Sequence, residues 1–411
     1  MKLNKLLPIF LCTIPIAWII IDLIINDKLE DANVDFTNSI QKPDGSGWDT
    51  FFKVISYFYA PEVVPVILVL LFCLPKKKVP GIKLAVYCTT TLYIFSILKM
   101  IYSQARPYQR FDVHPKVCEQ DFGRPSGHAM GGMVLWSCIY WLFISDLNLT
   151  EKNVKANKIF KYSMLILIVA LIFTIGMSRV YLGVHSFPQI LLGWSYGALF
   201  LIFSIAYFDK ILQEKIEQAY NSTKKGLHSG VITAVLVAVL TIPMIVYGIR
   251  ENSKDYGVWY LAIVFKCKEE PKVMNTFYEA QFGASTNIVI VFGMFYGLVA
   301  LKEVKQEFPK FLKIYKEFLR LIVYIVLIGG TIGVFNFAIP HSETSAWINF
   351  FFLQCLPNLI GGFLLILVAP YILNRLNICR ENDFLEVELA KSLPSNKVSP
   401  VTEYEQAPQN A

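Results

Sequence analysis

Residues 162–208 read YSMLILIVALIFTIGMSRVYLGVHSFPQILLGWSYGALFLIFSIAYF. Two apolar runs, Tyr162 to Met177 and Ile190 to Phe208, are each long enough to cross, or nearly cross, a hydrocarbon core as an α-helix. The short connection between them carries Ser178, Arg179, His185 and Gln189, polar groups held at a membrane boundary.

The same pattern repeats on both sides. Upstream, apolar segments run from Leu6 to Ile25, Val54 to Leu74, Leu84 to Ser103 and Ala129 to Ile144. Downstream they run from Val231 to Ile249, Gly283 to Leu301, Phe318 to Ile339 and Phe350 to Leu373. The expected fold is therefore all-α, a polytopic transmembrane bundle of about ten helices. The 411-residue composition agrees: 55% of residues are hydrophobic and only 17% charged, where a soluble domain carries about 25% charged. Lys2 and Lys5 precede the first segment as in a signal peptide, but the run is long and no small-x-small cleavage site follows, so it reads as an anchor.

Net charge is +7, yet the cations sit in short clusters between apolar runs, which argues against a nucleic-acid partner. Lys76, Lys77, Lys78 and Lys83 fill one link; Lys152, Lys155, Lys158 and Lys161 the next of the same parity. Lys210, Lys215, Lys224 and Lys225, and then Lys302, Lys305, Lys310, Lys313 and Lys316, follow on that side, with Arg375 and Arg380. The positive-inside rule makes that side cytoplasmic, with both chain ends. The link from Ala105 to Gly127 disagrees: it carries Arg106, Arg110, Lys116 and Arg124 on the outer side. Phosphate binding is a reason for a basic loop there.

Three clusters carry chemistry. Lys99 and Arg106-Pro107 stand seven residues apart, nearly two helical turns, so both cations share a face. Pro125-Ser126-Gly127-His128 opens a segment; free N–H groups at a helix start face an anion, Ser126 adds a hydroxyl, and His128 can give a proton to a leaving group. Ser178-Arg179 and His185 supply a guanidinium fork for phosphate oxygens and a ring nitrogen able to attack phosphorus. Alone, each cluster has a plainer reading: snorkelling cations, a helix cap, a hydrated loop histidine. Together they lie on loops of one outer face, at the ends of neighbouring segments. Such a grouping suits phosphoryl transfer, where positioning and charge stabilisation do most of the catalysis.

The order Lys99-x6-Arg106-Pro107, Pro125-Ser126-Gly127-His128, Ser178-Arg179-x5-His185 resembles the three-part signature of the phosphatidic acid phosphatase type 2 superfamily, most strongly from Trp48 to Ala206. The resemblance implies that Lys99, Arg106 and Arg179 bind phosphate with Ser126 and Gly127. It also implies that His185 forms a phosphohistidine, that His128 protonates the leaving oxygen, and that no metal or other cofactor is needed. Many members carry Asp four residues after the nucleophile; here Gln189 would orient the ring without supplying charge. Glucose-6-phosphatase-like members resemble this chain in that Gln and in helix number, while sphingoid-base phosphate phosphatases are similarly extended.

The expected organisation is an anchor and luminal link at 1–47, a catalytic core at 48–208, a transmembrane extension at 209–375, and a disordered tail at 376–411. The expected activity is hydrolysis of a lipid phosphate monoester: phosphatidate, lysophosphatidate or a sphingoid-base phosphate. The rivals are a sugar-phosphate phosphatase, a lipid phosphotransferase and a non-catalytic membrane protein. By resemblance the expected membrane is the endoplasmic reticulum, with the site luminal. Cysteines show no C-x-x-C or metal-finger spacing, so no zinc site is expected. Cys118 and Cys267 share the outer side and would pair there if it is oxidising; two unpaired thiols are the preferred reading. Outer-loop histidines His114 and His341 have no motif around them, sequons at Asn148 and Asn221 fall on cytoplasmic links and should stay unglycosylated, and Cys379 reads as a plain juxtamembrane thiol.

Overall fold

The computed structural model describes residues 3–60, 63–65, 67, 70, 78–145, 147, 154–221, 223–250, 257–268, 276–301, 313–338 and 345–379. His341, the Asn148 sequon and the tail from 380 lie outside the described residues. Every regular element among those described is helical. Nine helices among them are long and apolar enough to cross a membrane, so the chain is an integral, multi-pass, all-α membrane protein. The tenth expected segment, Val54 to Leu74, begins in a described helix and runs into residues only partly described.

In chain order the elements that build the site are α1 (Leu3–Ile40), α2 (Gly47–Tyr57), α3 (Lys78–Tyr102), α4 (Gly127–Ile139), α5 (Val154–Tyr181) and α6 (Phe187–Phe203). Then come α7 (Lys225–Arg250), α8 (Val289–Ala300), α9 (Ile314–Ala338) and α10 (Leu356–Phe363). A shorter helical stretch, Thr276–Ala284, leads towards α8.

Where a luminal link after Ile25 is expected, α1 instead bends at Ile25 (φ −123°, ψ 19°) and stays helical to Ile40. The second half is polar, but Glu30, Asn33 and Thr37 form one buried face at helical spacing. That face docks on the start of α6: Ser186 Oγ donates to Glu30 Oε1 at 2.7 Å, and the Phe187 N–H to Asn33 Oδ1 at 3.0 Å. A short apolar helix, Gly257–Cys267, is a second element not foreseen.

Lipid tails are as apolar as leucine, so helix association in a membrane rests on close packing and interhelical polar contacts. Contact between α4 and α6 depends on Gly193 and Gly197, one turn apart on α6. A Cβ on Gly193 would lie 2.6 Å from the Ser126 carbonyl oxygen, and one on Gly197 3.0 Å from that of Met130. These approaches hold the start of α4 against the start of α6.

The two ends of the bundle differ in chemistry. At one end Lys83 pairs with Asp209 at 2.8 Å, and Lys78 Nζ donates to the Tyr324 hydroxyl at 3.0 Å. About 24 Å away along α3, at 1.5 Å per residue, Lys99 marks the end where all three sequence clusters gather. There Cys118 and Cys267, 149 residues apart, form a disulfide with Cα atoms 6.0 Å apart. This corrects the preference for free thiols: the fold brings the 105–127 link against the connection between α7 and α8, which spacing along the chain does not reveal.

Candidate active site

His185 follows a turn whose geometry only glycine accepts comfortably. Gly183 has φ +74°, and a Cβ there would sit 2.6 Å from the His114 carbonyl oxygen. Beyond it, Ser186 caps α6 and Gln189 closes a capping box, fixing the backbone on both sides of the histidine. The buried ring is gripped at both nitrogens. Nε2 lies 3.2 Å from Arg106 Nη1, and Nδ1 lies 3.1 Å from Gln189 Oε1.

The tautomer follows from donor chemistry. A guanidinium N–H can only donate, so Nε2 must accept and the ring proton sits on Nδ1. The Gln189 amide is oriented to receive that proton, because its Nε2 donates to the Ala105 carbonyl at 3.2 Å and leaves Oε1 towards the ring. An unprotonated Nε2 thus faces the cationic side. Burial first, then the charges of Arg106, Arg179 and Lys99, holds His185 well below the usual histidine range, keeping it neutral near pH 7.

Lys99, Arg106 and Arg179 converge beside it, all less than a twentieth exposed. Arg106 is further tied by Nε to the Asp121 carbonyl at 3.0 Å and by Nη1 to the Val184 carbonyl at 2.9 Å. Arg179 Nη1 donates to Ser56 Oγ at 2.6 Å. Two carboxylates complete the cluster. Asp121 pairs with Lys99 at 2.5 Å and with Arg106; Glu119 pairs with Arg106 at 2.6 Å and with Arg179. Burial would push the Glu119 carboxyl up, but Arg106 and Arg179 overrule it and hold it well below the usual range. Their partner loop is anchored by the disulfide at Cys118, and further by Lys116, which pairs with Asp49 at 3.0 Å.

Lys99, Gly127, His128, Arg179, His185, Glu119 and Asp121 all face one cavity of about 1030 Å³. Gly127 and His128 contribute the first turn of α4, and the His128 ring meets Tyr59 edge-on at 5.9 Å between centroids. Arg106, Ser126 and Gln189 are not in the cavity wall. Gln189 acts through the His185 ring; Arg106 lies just behind the wall, its guanidinium on Glu119 and Asp121, which do face the cavity; and Ser126 is the cap of α4, its Oγ accepting the Ala129 N–H at 3.4 Å. Every expected site residue is therefore in one neighbourhood, five of them on the surface of the cavity. Outer-loop His114 is elsewhere, 3.1 Å from Asp44 in an exposed pair.

Sequence reasoning missed Glu119 and Asp121, having read the 105–127 link only for its basic residues. The signal was available: two acids bracket Gln120 beside Cys118 in a loop assigned to phosphate. Glu30, which joins the site through Ser186, lay in a stretch read as a link. No group of three or more metal-ligating side chains occurs among the described residues.

Fold and site together define a multi-pass helical membrane protein with a buried, cation-rich cup holding two histidines. Residues 80–213 match the model of the PAP2 superfamily, and that stretch contains all eight expected site residues. Over 135 residues it is 30% identical to phosphatidylglycerophosphatase B of Bacillus subtilis (strain 168), a region that makes up 33% of this chain and 61% of that protein. It thus spans about three fifths of that relative's length. A crystal structure of a transmembrane PAP2 type phosphatidylglycerolphosphate phosphatase from Bacillus subtilis superposes with a TM-score of 0.39 at 23% identity, covering 48% of this chain and 96% of that one.

Proposed function

We propose that this protein is a phosphomonoesterase acting on a lipid phosphate, with His185 as nucleophile and His128 as general acid. The observation that carries the proposal is the His185 ring, with Nε2 3.2 Å from the Arg106 guanidinium, in the wall shared with Lys99, Arg179 and His128. The Nε2 lone pair attacks phosphorus, forming a P–N bond as the P–O bond to the alcohol breaks, and His128, charged by the proton that the phosphate monoanion brings in, gives that proton to the departing oxygen. Water deprotonated by His128 then attacks the phosphohistidine, releasing inorganic phosphate and restoring both rings. Lys99, Arg106 and Arg179 stabilise charge on the transferring oxygens, and the first turn of α4 adds backbone N–H groups through Gly127. Gln189 holds the reactive tautomer. Since Gln189 brings no charge, stabilisation of the imidazolium is weaker than a carboxylate there would give.

The apolar helices around the cavity favour a lipid over a sugar phosphate. The disulfide at the cup supports an oxidising compartment on that side, with the lysine-rich end cytoplasmic, as in an endoplasmic reticulum protein with a luminal site. The test is phosphate release by purified protein on phosphatidate, lysophosphatidate, a sphingoid-base phosphate and glucose 6-phosphate. Activity on a lipid that falls at least a thousandfold in His185→Ala supports the proposal. Activity confined to glucose 6-phosphate, or retained by that variant in folded form, overturns it.

A further inference from the structure

The cavity does not stop at the cup. Its wall follows one face of α3 from Lys99 through Phe95, Leu92 and Ala85 to Gly81. Eighteen residue-to-residue steps of about 1.5 Å make that face about 27 Å long, close to the roughly 30 Å of a bilayer's hydrocarbon core. The opposite wall comes from the far part of the sequence: Gln281 to Met294, on the stretch leading into α8 and its first turns, and Gly361 of α10 with Leu365 just past its end. Those residues lie beyond 80–213, so the matched stretch supplies one wall and the C-terminal helices face it, with residues from Lys53 to Pro65 completing the lining.

The wall is apolar in effect even where its side chains are not. Thr89 Oγ1 donates to the Ala85 carbonyl at 2.8 Å, and Asn287 Nδ2 to the Ala284 carbonyl at 2.8 Å. A buried atom of Gln281 departs from this pattern, where channel meets cup. Gln281, 4% exposed, donates from Nε2 to Asp121 Oδ2 at 2.8 Å, while its Oε1 is a buried acceptor with no donor. A buried acceptor left unsatisfied costs about 1–3 kcal/mol, so it points to a donor arriving with a ligand.

We propose that α3 and the C-terminal helices form a hydrocarbon channel leading from the phosphate cup, and that Gln281 reads a hydrogen-bond donor beside the phosphate ester, which makes the occupant a lipid phosphate bearing a free hydroxyl or amino group on the carbon next to that ester. This rests on the proposed phosphatase reading and narrows its substrate. The phosphate lies among Lys99, Arg106 and Arg179, the donor meets Gln281 Oε1 near the Asp121 carboxylate, and the chain runs towards Gly81. A lipid acylated at the carbon next to the phosphorylated one has no donor there. It would leave Oε1 unpaired.

Two variants and four esters test this. A Cβ on Gly361 meets no heavy atom within 4 Å, so Gly361→Phe puts a ring into the channel without moving the backbone. Gln281→Leu removes the acceptor at similar size. The esters are an 18-carbon lysophosphatidate, an 18-carbon sphingoid-base phosphate, octadecyl phosphate with no donor, and p-nitrophenyl phosphate with no chain. In Gly361→Phe the kcat/KM ratio of each long-chain ester to p-nitrophenyl phosphate falls at least tenfold. In Gln281→Leu the ratio of lysophosphatidate or sphingoid-base phosphate to octadecyl phosphate falls at least tenfold; a fall for lysophosphatidate, which has no ammonium, names a hydroxyl as a donor read, and a fall for the sphingoid-base phosphate alone assigns the donor to its amino-alcohol. Ratios unchanged in both variants overturn the channel and its reader. Should the wild type turn over none of the four, the phosphatase reading fails separately. Binding of a fluorescent 18-carbon single-chain lipid phosphate to His185→Ala, with and without Gly361→Phe, then decides the channel: at least tenfold weaker binding in the double variant supports it, and equal binding overturns it.

Discussion

Replacing Glu119 by Gln keeps the shape of the side chain and removes the charge that bridges Arg106 and Arg179. Glu119 Oε2 stands 2.6 Å from Arg106, and a phosphate entering the cup needs those same guanidinium groups. Each charge pair at about 4 Å is worth roughly 4 kcal/mol at an effective dielectric of 20, so substrate binding displaces a strong internal competitor. Glu119→Gln should therefore bind vanadate or inorganic phosphate at least tenfold tighter, a change of about 1.4 kcal/mol that is only part of the bridge. The unliganded protein should lose stability, because breaking a buried pair leaves cations uncompensated; with the carboxylate 27% exposed, about 1–3 kcal/mol is expected rather than the full 3–5. The acid dependence has a definite sign. The Glu119 pKa is depressed in the fold, so its contribution is complete above the unfolded value near 4.3 and is lost as pH falls through the folded value. Thermal unfolding in detergent, with and without vanadate, reads all three effects: the variant melts lower without anion, regains more on anion addition, and converges with wild type at acid pH. A folded variant that binds vanadate equally or more weakly would refute the competition and leave Glu119 as an orienting group for the arginines.

Gln189→Asp places a carboxylate against Nδ1 of a histidine that burial and three cations hold neutral, so the acid limb of kcat/KM should move to higher pH by about one unit; an unmoved limb means that His185 is not the group titrating. Gly193→Leu forces a side chain onto the Ser126 carbonyl, 2.6 Å from where its Cβ must go, and should lower the melting temperature and activity together, measured on purified protein. Alkylation under denaturing conditions, followed by peptide mass spectrometry, should label Cys118 and Cys267 only after reduction; label on either beforehand contradicts the disulfide.

The spans were legible because hydrocarbon demands uninterrupted apolar runs, and a run such as Leu165–Ile175 admits few other readings. The site was legible for an electrostatic reason. Arg106 and Arg124 sit on a loop where the positive-inside rule disfavours them, and Arg179 and His185 interrupt an otherwise apolar hairpin. What escaped depends on tertiary contact. Glu30 looks like an ordinary acid in a polar stretch until α1 continues past Ile25 and carries it to Ser186. Glu119 and Asp121 carry no periodic signal, and their meaning comes from the arginines they face. Gln281 precedes the apolar run that begins at Gly283, so only the closing of the C-terminal helices over α3 brings it to the cup.

One measurement bears on the whole account. Purified protein mixed with lipid phosphate labelled at phosphorus, quenched within milliseconds in alkali and digested, should yield one labelled peptide, acid-labile and alkali-stable, with the phosphoryl group on the ring of His185. Label on any other residue, or turnover with no labelled protein at any quench time, would contradict a nucleophile poised at Nε2 among Lys99, Arg106 and Arg179.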